Sequence, residues 1–251
     1  MVHLAATSGR APFRIMTSLK DLRLFTTQPH NCSYLSGQQA QTLFIDPEFQ
    51  VDKATNSRLS ELGFRRSGAH VYRPNCRQCQ QCISCRVVVD SFTPGRRFKR
   101  ILKRNADLTI TDVPDISGDE YYLLYQHYIN VRHADGDMFP PSREQYASFL
   151  LKKCEGTHYY AMRRPDGRLV GLMVCDELNN GLSAVYTFYD PLEEARSLGT
   201  FGILWQIEEA RRLGLAHVYL GYWIRGSRKM RYKIDFRPLE MLIRQQWVLV
   251  E

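Results

Sequence analysis

The chain has 251 residues, 44% apolar and 24% charged, enough to bury a sizeable core in one large domain or two modest ones. No stretch approaches the roughly 20 consecutive apolar residues that span a bilayer, and residues 1 to 15 lack the apolar segment of a secretory signal, so the expectation is a cytoplasmic protein with no membrane partner. The net charge of +8 is placed unevenly: 17 Lys and Arg oppose 9 Asp and Glu through Asp115, whereas 17 oppose 17 from Ile116 onward. Clustered cations gain affinity for phosphate by releasing its counterions, so the first half is expected to face a polyanion, with a merely soluble basic surface as the alternative.

Residues 1 to 15 read as a flexible leader or start-site extension ahead of Met16 and TSLKDLRLF. In the first half, HVYRP and CRVVVDSF read as short strands that flank four evenly spaced cysteines, Cys76, Cys79, Cys82 and Cys85. Seven cysteines, with four packed into ten positions, suit a reducing compartment and a thiol site better than a disulfide framework. Pairs at C-x₂-C bind zinc or iron–sulfur clusters. Here, however, the last spacing of a ferredoxin run is wrong and Arg86 rather than Pro follows Cys85. Reduced thiols packed against substrate-binding loops are the alternative.

PGRRFKRILKRN reads as a helix after a turn. Phe98, Ile101 and Leu102 make a narrow apolar stripe, leaving Arg96, Arg97, Lys99, Arg100, Lys103 and Arg104 exposed. Like charges four residues apart cost about 0.2–0.5 kcal/mol per pair unless an anion lies between them. Nucleic-acid contact is therefore preferred over a solvated face.

The Pro-, Gly- and Asp-rich stretch DVPDISGD, at 112 to 119, is the expected domain boundary, giving units over 16–115 and 116–251. Beyond it, residues 120–131, 142–153 and 199–213 read as helices, and 157–163, 168–175, 182–189 and 216–222 as strands. PDG and NNG turns make hairpins of the first three strands. A strand, loop, helix and strand between Tyr189 and Ala216 form the crossover of a partly parallel sheet, so the class is α+β.

The loop before the third of these helices reads Arg-x-x-Gly-x-x-Gly, from Arg196 through Gly199 and Gly202. Amides at a helix start can cradle phosphate; close packing of that helix on a sheet is the other reading. No Walker loop or Gly-x-Gly-x-x-Gly element supports ATP or NAD chemistry. After it, Arg225, Arg228, Lys229, Arg231, Lys233 and Arg237 interleave with Tyr222, Trp223, Tyr232 and Phe236, a mixture suited to a single-stranded nucleic-acid end or an acidic peptide terminus.

YRPNCRQCQQC, SFTPGRRFKRILKRN, YINVRHADGDM, YTFYDP, SLGTFGILWQIEEAR, YLGYWIRGSRKMRYK and FRPLE, in this order, resemble the aminoacyl-tRNA–protein transferases, in particular their short bacterial aspartate/glutamate leucyltransferase branch. The resemblance runs from about Leu24 to Trp247. It implies a cysteine-containing N-terminal α+β domain followed by a GNAT-like mixed-sheet acyltransferase domain. It also implies transfer of leucine from leucyl-tRNA to an N-terminal Asp or Glu of a protein, which creates a destabilising N-terminus for the N-degron pathway. Donation from arginyl-tRNA, or from acetyl-coenzyme A as the glycine loop alone suggests, are the alternatives, and a non-enzymatic zinc-containing RNA-binding module is a third.

Under that resemblance Tyr222, Asp190 and His133 are candidates for proton handling or amine orientation. Lys229, Lys233 and Arg132 are candidates to hold the acidic side chain of the acceptor, and Gly199 and Gly202 join the basic helix in holding tRNA. The ester is already activated, so the transfer requires no cofactor. Longer relatives are associated with an iron–sulfur cluster or zinc, for which Cys32, Cys76, Cys79 and Cys82 are the expected ligands here. Cys85 is additional to that pattern and suits a buried, inert thiol.

Overall fold

The computed structural model describes residues 22 to 250, so the leader at 1 to 15 lies outside the described residues. The chain begins with β1 (Leu24–Thr26), a ribbon of β2 (His30–Asn31) with β3 (Gln39–Ala40), and β4 (Thr42–Ile45). Helix α1 (Lys53–Glu61), β5 (Arg65–Ser67) and β6 (His70–Pro74) follow, and β1, β4, β6 and β5 make, in that order, an antiparallel sheet over a small core of Ile45, Leu59, Phe64 and Val71. Sequence periodicity misses α1 because it buries polar residues, Thr55, Asn56, Ser57 and Ser60. Ser57 is satisfied there by donating to Lys53 O and accepting from Asn179 N, at 2.7 and 2.8 Å.

Strand β7 (Ile83–Val88), α2 (Arg96–Arg104), β8 (Thr109–Asp112), α3 (Asp119–Arg132) and α4 (Arg143–Tyr146) come next. Three antiparallel strands, β9 (Thr157–Arg163), β10 (Leu169–Glu177) and β11 (Gly181–Tyr189), then lead through α5 (Leu198–Arg212) to β12 (His217–Trp223) and the hairpin β13 (Leu239–Ile243) with β14 (Gln246–Val250). These build an eight-stranded sheet in the order β14-β13-β7-β12-β11-β10-β9-β8. The β11–β12 pair is parallel, as the crossover predicts, and the class is α+β. The stretch expected as one helix over 142–153 is instead α4, capped by Ser142, running into a π-helical turn at Ala147–Leu151.

Both faces of the large sheet are covered. Met162, Met173 and Cys175 pack with α5 residues Phe201, Leu204 and Ile207 on one side; Ala161, Leu172 and Val174 pack with Tyr125 and Ile129 of α3 on the other. Alternation of strand side chains between two buried faces explains why these strands read as nearly continuous apolar runs. Strand β7, from ahead of the 112–119 stretch, lies between β12 and β13, so this sheet takes strands from both sides of that stretch. No helix among the described residues is long and apolar enough to cross a membrane.

Candidate active site

The parallel strands β11 and β12 pair only through Gly181 with His217, Leu182 with Val218 and Ser183 with Tyr219, and then part. Each carries an irregularity at that point: the β10–β11 register shifts between Val174 and Cys175, opposite Tyr186 and Ala184, and the β12–β7 register shifts between Tyr219 and Gly221. Bulges placed side by side re-aim both strands and open a cleft between them.

Arg65, from β5 of the smaller sheet, reaches the closed end of that cleft, at the last paired residues Ser183 and Tyr219. Its Nη1 donates to Ser183 Oγ at 3.2 Å and to Tyr219 O at 3.3 Å, and its Nη2 donates to Ala184 O at 2.5 Å. The guanidinium therefore takes carbonyls that the separating strands no longer pair with each other. Gly221 makes room for it: at φ +77°, a Cβ there would lie 3.0 Å from Arg65 Nε. Sequence reasoning did not single out Arg65, and no motif or periodicity marks it.

Tyrosines surround the opening. Tyr72 and Tyr222 have ring centroids 6.4 Å apart, and Tyr189, at the end of β11, lies 4.9 Å from Tyr128. Tyr222 is buried and its hydroxyl donates to Gly63 O at 2.9 Å and Tyr72 O at 3.3 Å. Burial pushes its phenol well above the ordinary value, so it ties the two sheets together and is a poor proton acceptor. Asp190, also buried, caps the 3₁₀ turn Pro191–Arg196 by accepting from Leu192 N at 2.9 Å and is paired with Arg168. His133 ends α3, with Nε2 3.1 Å from Tyr128 OH. Burial, then the charge of Lys229, holds its pKa below the usual value.

The three cations expected to receive an acidic side chain have separate fates. Lys229 is exposed and bonded to both oxygens of Asp135 at 2.9 and 3.0 Å; Arg132 is 3.8 Å from Glu194 at the surface. Lys233 is buried, donating to Tyr222 O at 2.7 Å and contacting Met230 Sδ at 3.2 Å. Burial, opposed by nearby Cys85 and assisted by Arg65, brings its pKa down to about 8.

Helix α2 carries its cations outward as expected, with Phe98 and Ile101 buried. Arg97 bonds Asp235 at 2.8 Å, and Phe98 stacks on Phe236 at 4.8 Å, so this helix abuts the segment that holds Lys233. Arg104 donates to Ala195 O ahead of α5, while Arg196 forks onto Asp107 at 2.8 and 2.9 Å. The glycines that follow Arg196 serve close packing: a Cβ on Gly199 would lie 3.1 Å from the Tyr189 ring, and one on Gly202 would lie 3.1 Å from Met173 Sδ.

Cys32, Cys76, Cys79 and Cys82 are half-buried free thiols. Burial, followed by the charges of Cys76, Cys32 and Cys79, pushes Cys82 up to about 12. Cys76 and Cys32 each accept a backbone N–H, from Gln41 and Tyr34, at 3.5 Å. Among the described residues no group of three or more Cys, His, Asp or Glu is arranged to hold a metal. Cys85 is buried and donates to Gly221 O at 3.3 Å.

The sequence profile described as "Arginine-tRNA-protein transferase, N terminus" matches residues 30–100, and that described as "Arginine-tRNA-protein transferase, C terminus" matches residues 120–243. Among curated relatives, proteins named "Aspartate/glutamate leucyltransferase" from Pseudomonas fluorescens strain Pf0-1, P. fluorescens strain SBW25 and Stutzerimonas stutzeri strain A1501 are 54%, 56% and 55% identical. These matches cover 94%, 93% and 93% of this chain and 100%, 99% and 99% of the relatives. A solved structure titled "The structure of L-PGS from Bacillus licheniformis" aligns with a TM-score of 0.43 and 13% identity, over 58% of this chain and 48% of that one, too slight a likeness to establish a shared fold. The profiles on either side of residues 101–119 and the end-to-end relatives agree: the chain belongs to the arginine-tRNA–protein transferase family.

Proposed function

We propose that the chain is an aminoacyltransferase that moves leucine from leucyl-tRNA to the α-amine of proteins beginning with Asp or Glu. The observation that carries this reading is the 54–56% identity to proteins named aspartate/glutamate leucyltransferase that are matched along essentially their whole length. In the cytoplasm, the leucine so added marks its acceptor for N-degron proteolysis.

The amine attacks the ester carbonyl. A C–N bond forms, the C–O bond to the terminal ribose breaks, and one proton passes from the amine to the ribose oxygen. An α-amine with a reference pKa of about 7.7–8.0 is partly neutral at cellular pH, so positioning and charge stabilisation supply most of the acceleration. Of the three proton-handling candidates, His133 suits the role best: its depressed pKa keeps the imidazole neutral, whereas Tyr222 already donates to two carbonyls and Asp190 is paired with Arg168.

The reading treats residues 116–251 as a GNAT-like unit with the acyl group lying between β11 and β12, and residues 16–115 as the unit that brings tRNA. It is supported by the short parallel contact, the α5 crossover and the exposed cations Arg96, Lys99, Arg100 and Lys103. The test presents labelled leucyl-tRNA, arginyl-tRNA or acetyl-coenzyme A with an Asp-starting peptide. Label from leucyl-tRNA is expected; transfer only from either of the others overturns the assignment.

A further inference from the structure

Arg65 uses one edge of its guanidinium and keeps another. Nη1 is engaged by Ser183 Oγ and Tyr219 O, and Nη2 by Ala184 O. Nε–H and the second of the two Nη2 N–H groups have no partner among the described residues. Gly221 does not block them. A Cβ at that position would lie 3.0, 3.1 and 3.3 Å from Nε, Cζ and Nη2; distances so nearly equal put it over the plane of the group rather than beyond its edge. Two parallel N–H donors on an open edge match the two oxygens of a carboxylate.

Charge balance points the same way. Neither Arg65 nor Lys233 is paired with a carboxylate among the described residues, yet the two are close enough to affect each other electrostatically. The other cations considered for this purpose already face carboxylates: Lys229 bonds Asp135, and Arg132 lies 3.8 Å from Glu194. Two neighbouring cations, one buried and one half-buried, leave a deficit of negative charge at the point where the strands part.

We propose that Arg65 is the residue that recognises the acceptor, its free edge taking the side-chain carboxylate of an N-terminal Asp or Glu while its other edge holds β11 and β12. This rests on the transfer reading above and replaces Lys229 and Arg132 as the principal anion ligand, with Lys233 as its electrostatic support. The same geometry rejects Asn and Gln, whose amide turns N–H groups toward a second N–H donor. Lysine cannot substitute, because a single ammonium cannot fork onto a carboxylate and bridge two strands at once.

The test measures kcat/KM at saturating leucyl-tRNA for peptides that differ only in starting with Asp or Asn, using wild type, Arg65→Lys and Arg65→Gln. Wild type should favour Asp by roughly 10²-fold, and both variants should lose most of that preference through a raised KM for the Asp peptide. Because Arg65 also ties the strands, wild type supplies a second readout. Its Arg65 Nε–H resonance, assigned through the side chain's own carbons, should move on titration with the Asp peptide and stay still with the Asn peptide. An unmoved resonance, or a folded Arg65→Gln protein that keeps the preference for Asp, overturns the Arg65 assignment alone. Wild type that transfers no leucine overturns the transfer reading as well.

Discussion

Lys233 Nζ makes two contacts, to Tyr222 O and Met230 Sδ, which a neutral amine can satisfy with its two N–H groups. Its pKa of about 8 lies below the ordinary 10.5, chiefly because burial disfavours the charged form. Between those values the unfolded chain binds a proton that the folded chain does not, so this residue makes stability rise with pH from about 8 toward 10.5 and is most costly below that window. Relative to Lys233→Met, wild type should therefore gain stability in urea unfolding as pH is raised from 8 to 10; a difference that stays flat would contradict the buried, depressed amine. The sequence displays six cations after β12 without revealing which of them is buried. It is equally silent about Arg65 and Arg66, adjacent and chemically identical. Strand β5 turns them to opposite faces, one toward the β11–β12 cleft and the other onto Asp176, and only the packing of a second sheet gives them different work.

Elements with a clean period or a conventional stop signal are legible in the sequence alone. The strand at 157–163 coincides with β9, and the basic helix is α2 with its apolar stripe buried. The β13–β14 hairpin is not, because its turn is built from Arg244 and Gln245 at φ 50° and 64°, conformations ordinarily announced by Asn or Gly. For α2, sequence and structure give the same residues but leave their purpose to experiment. Neutralising Arg96, Arg100 and Lys103 together removes exposed charges with no apolar burial. Folding stability should hold or rise slightly, by about 0.2–0.5 kcal/mol for each repulsive i,i+4 pair relieved. The slope of log affinity for tRNA against log salt should become shallower by roughly 0.7–0.9 for each phosphate the helix no longer neutralises. Filter binding across a salt series checks this, and an unchanged slope would take the helix out of the tRNA surface.

Side-chain links of differing exposure join the two sheets, and among the described residues the Arg66–Asp176 pair is the most enclosed ion pair, with side-chain exposures of 4% and 1%. Nε and Nη2 of Arg66 fork onto Asp176 at 2.6 and 2.7 Å, while Nη1 donates to Gly68 O and Lys152 O at 2.9 and 2.8 Å; Thr157 Oγ1 donates to the same carboxylate at 2.7 Å. Composition showed a basic first half and a balanced second half, but it could not show that a strand of the smaller sheet is pinned to β10 of the larger one, since that contact spans 110 residues. Asp176→Asn keeps the shape and removes the countercharge, leaving a guanidinium buried without compensation. The expected cost is about 3–5 kcal/mol, a large fraction of the stability of a protein this size. Because β5 also carries Arg65 into the cleft, loosening this pin should weaken discrimination between Asp- and Asn-starting acceptors at temperatures where the protein is still folded. Chemical denaturation together with the acceptor assay checks both parts. Loss of stability without loss of discrimination would mean that the cleft holds Arg65 through Ser183, Ala184 and Tyr219 alone.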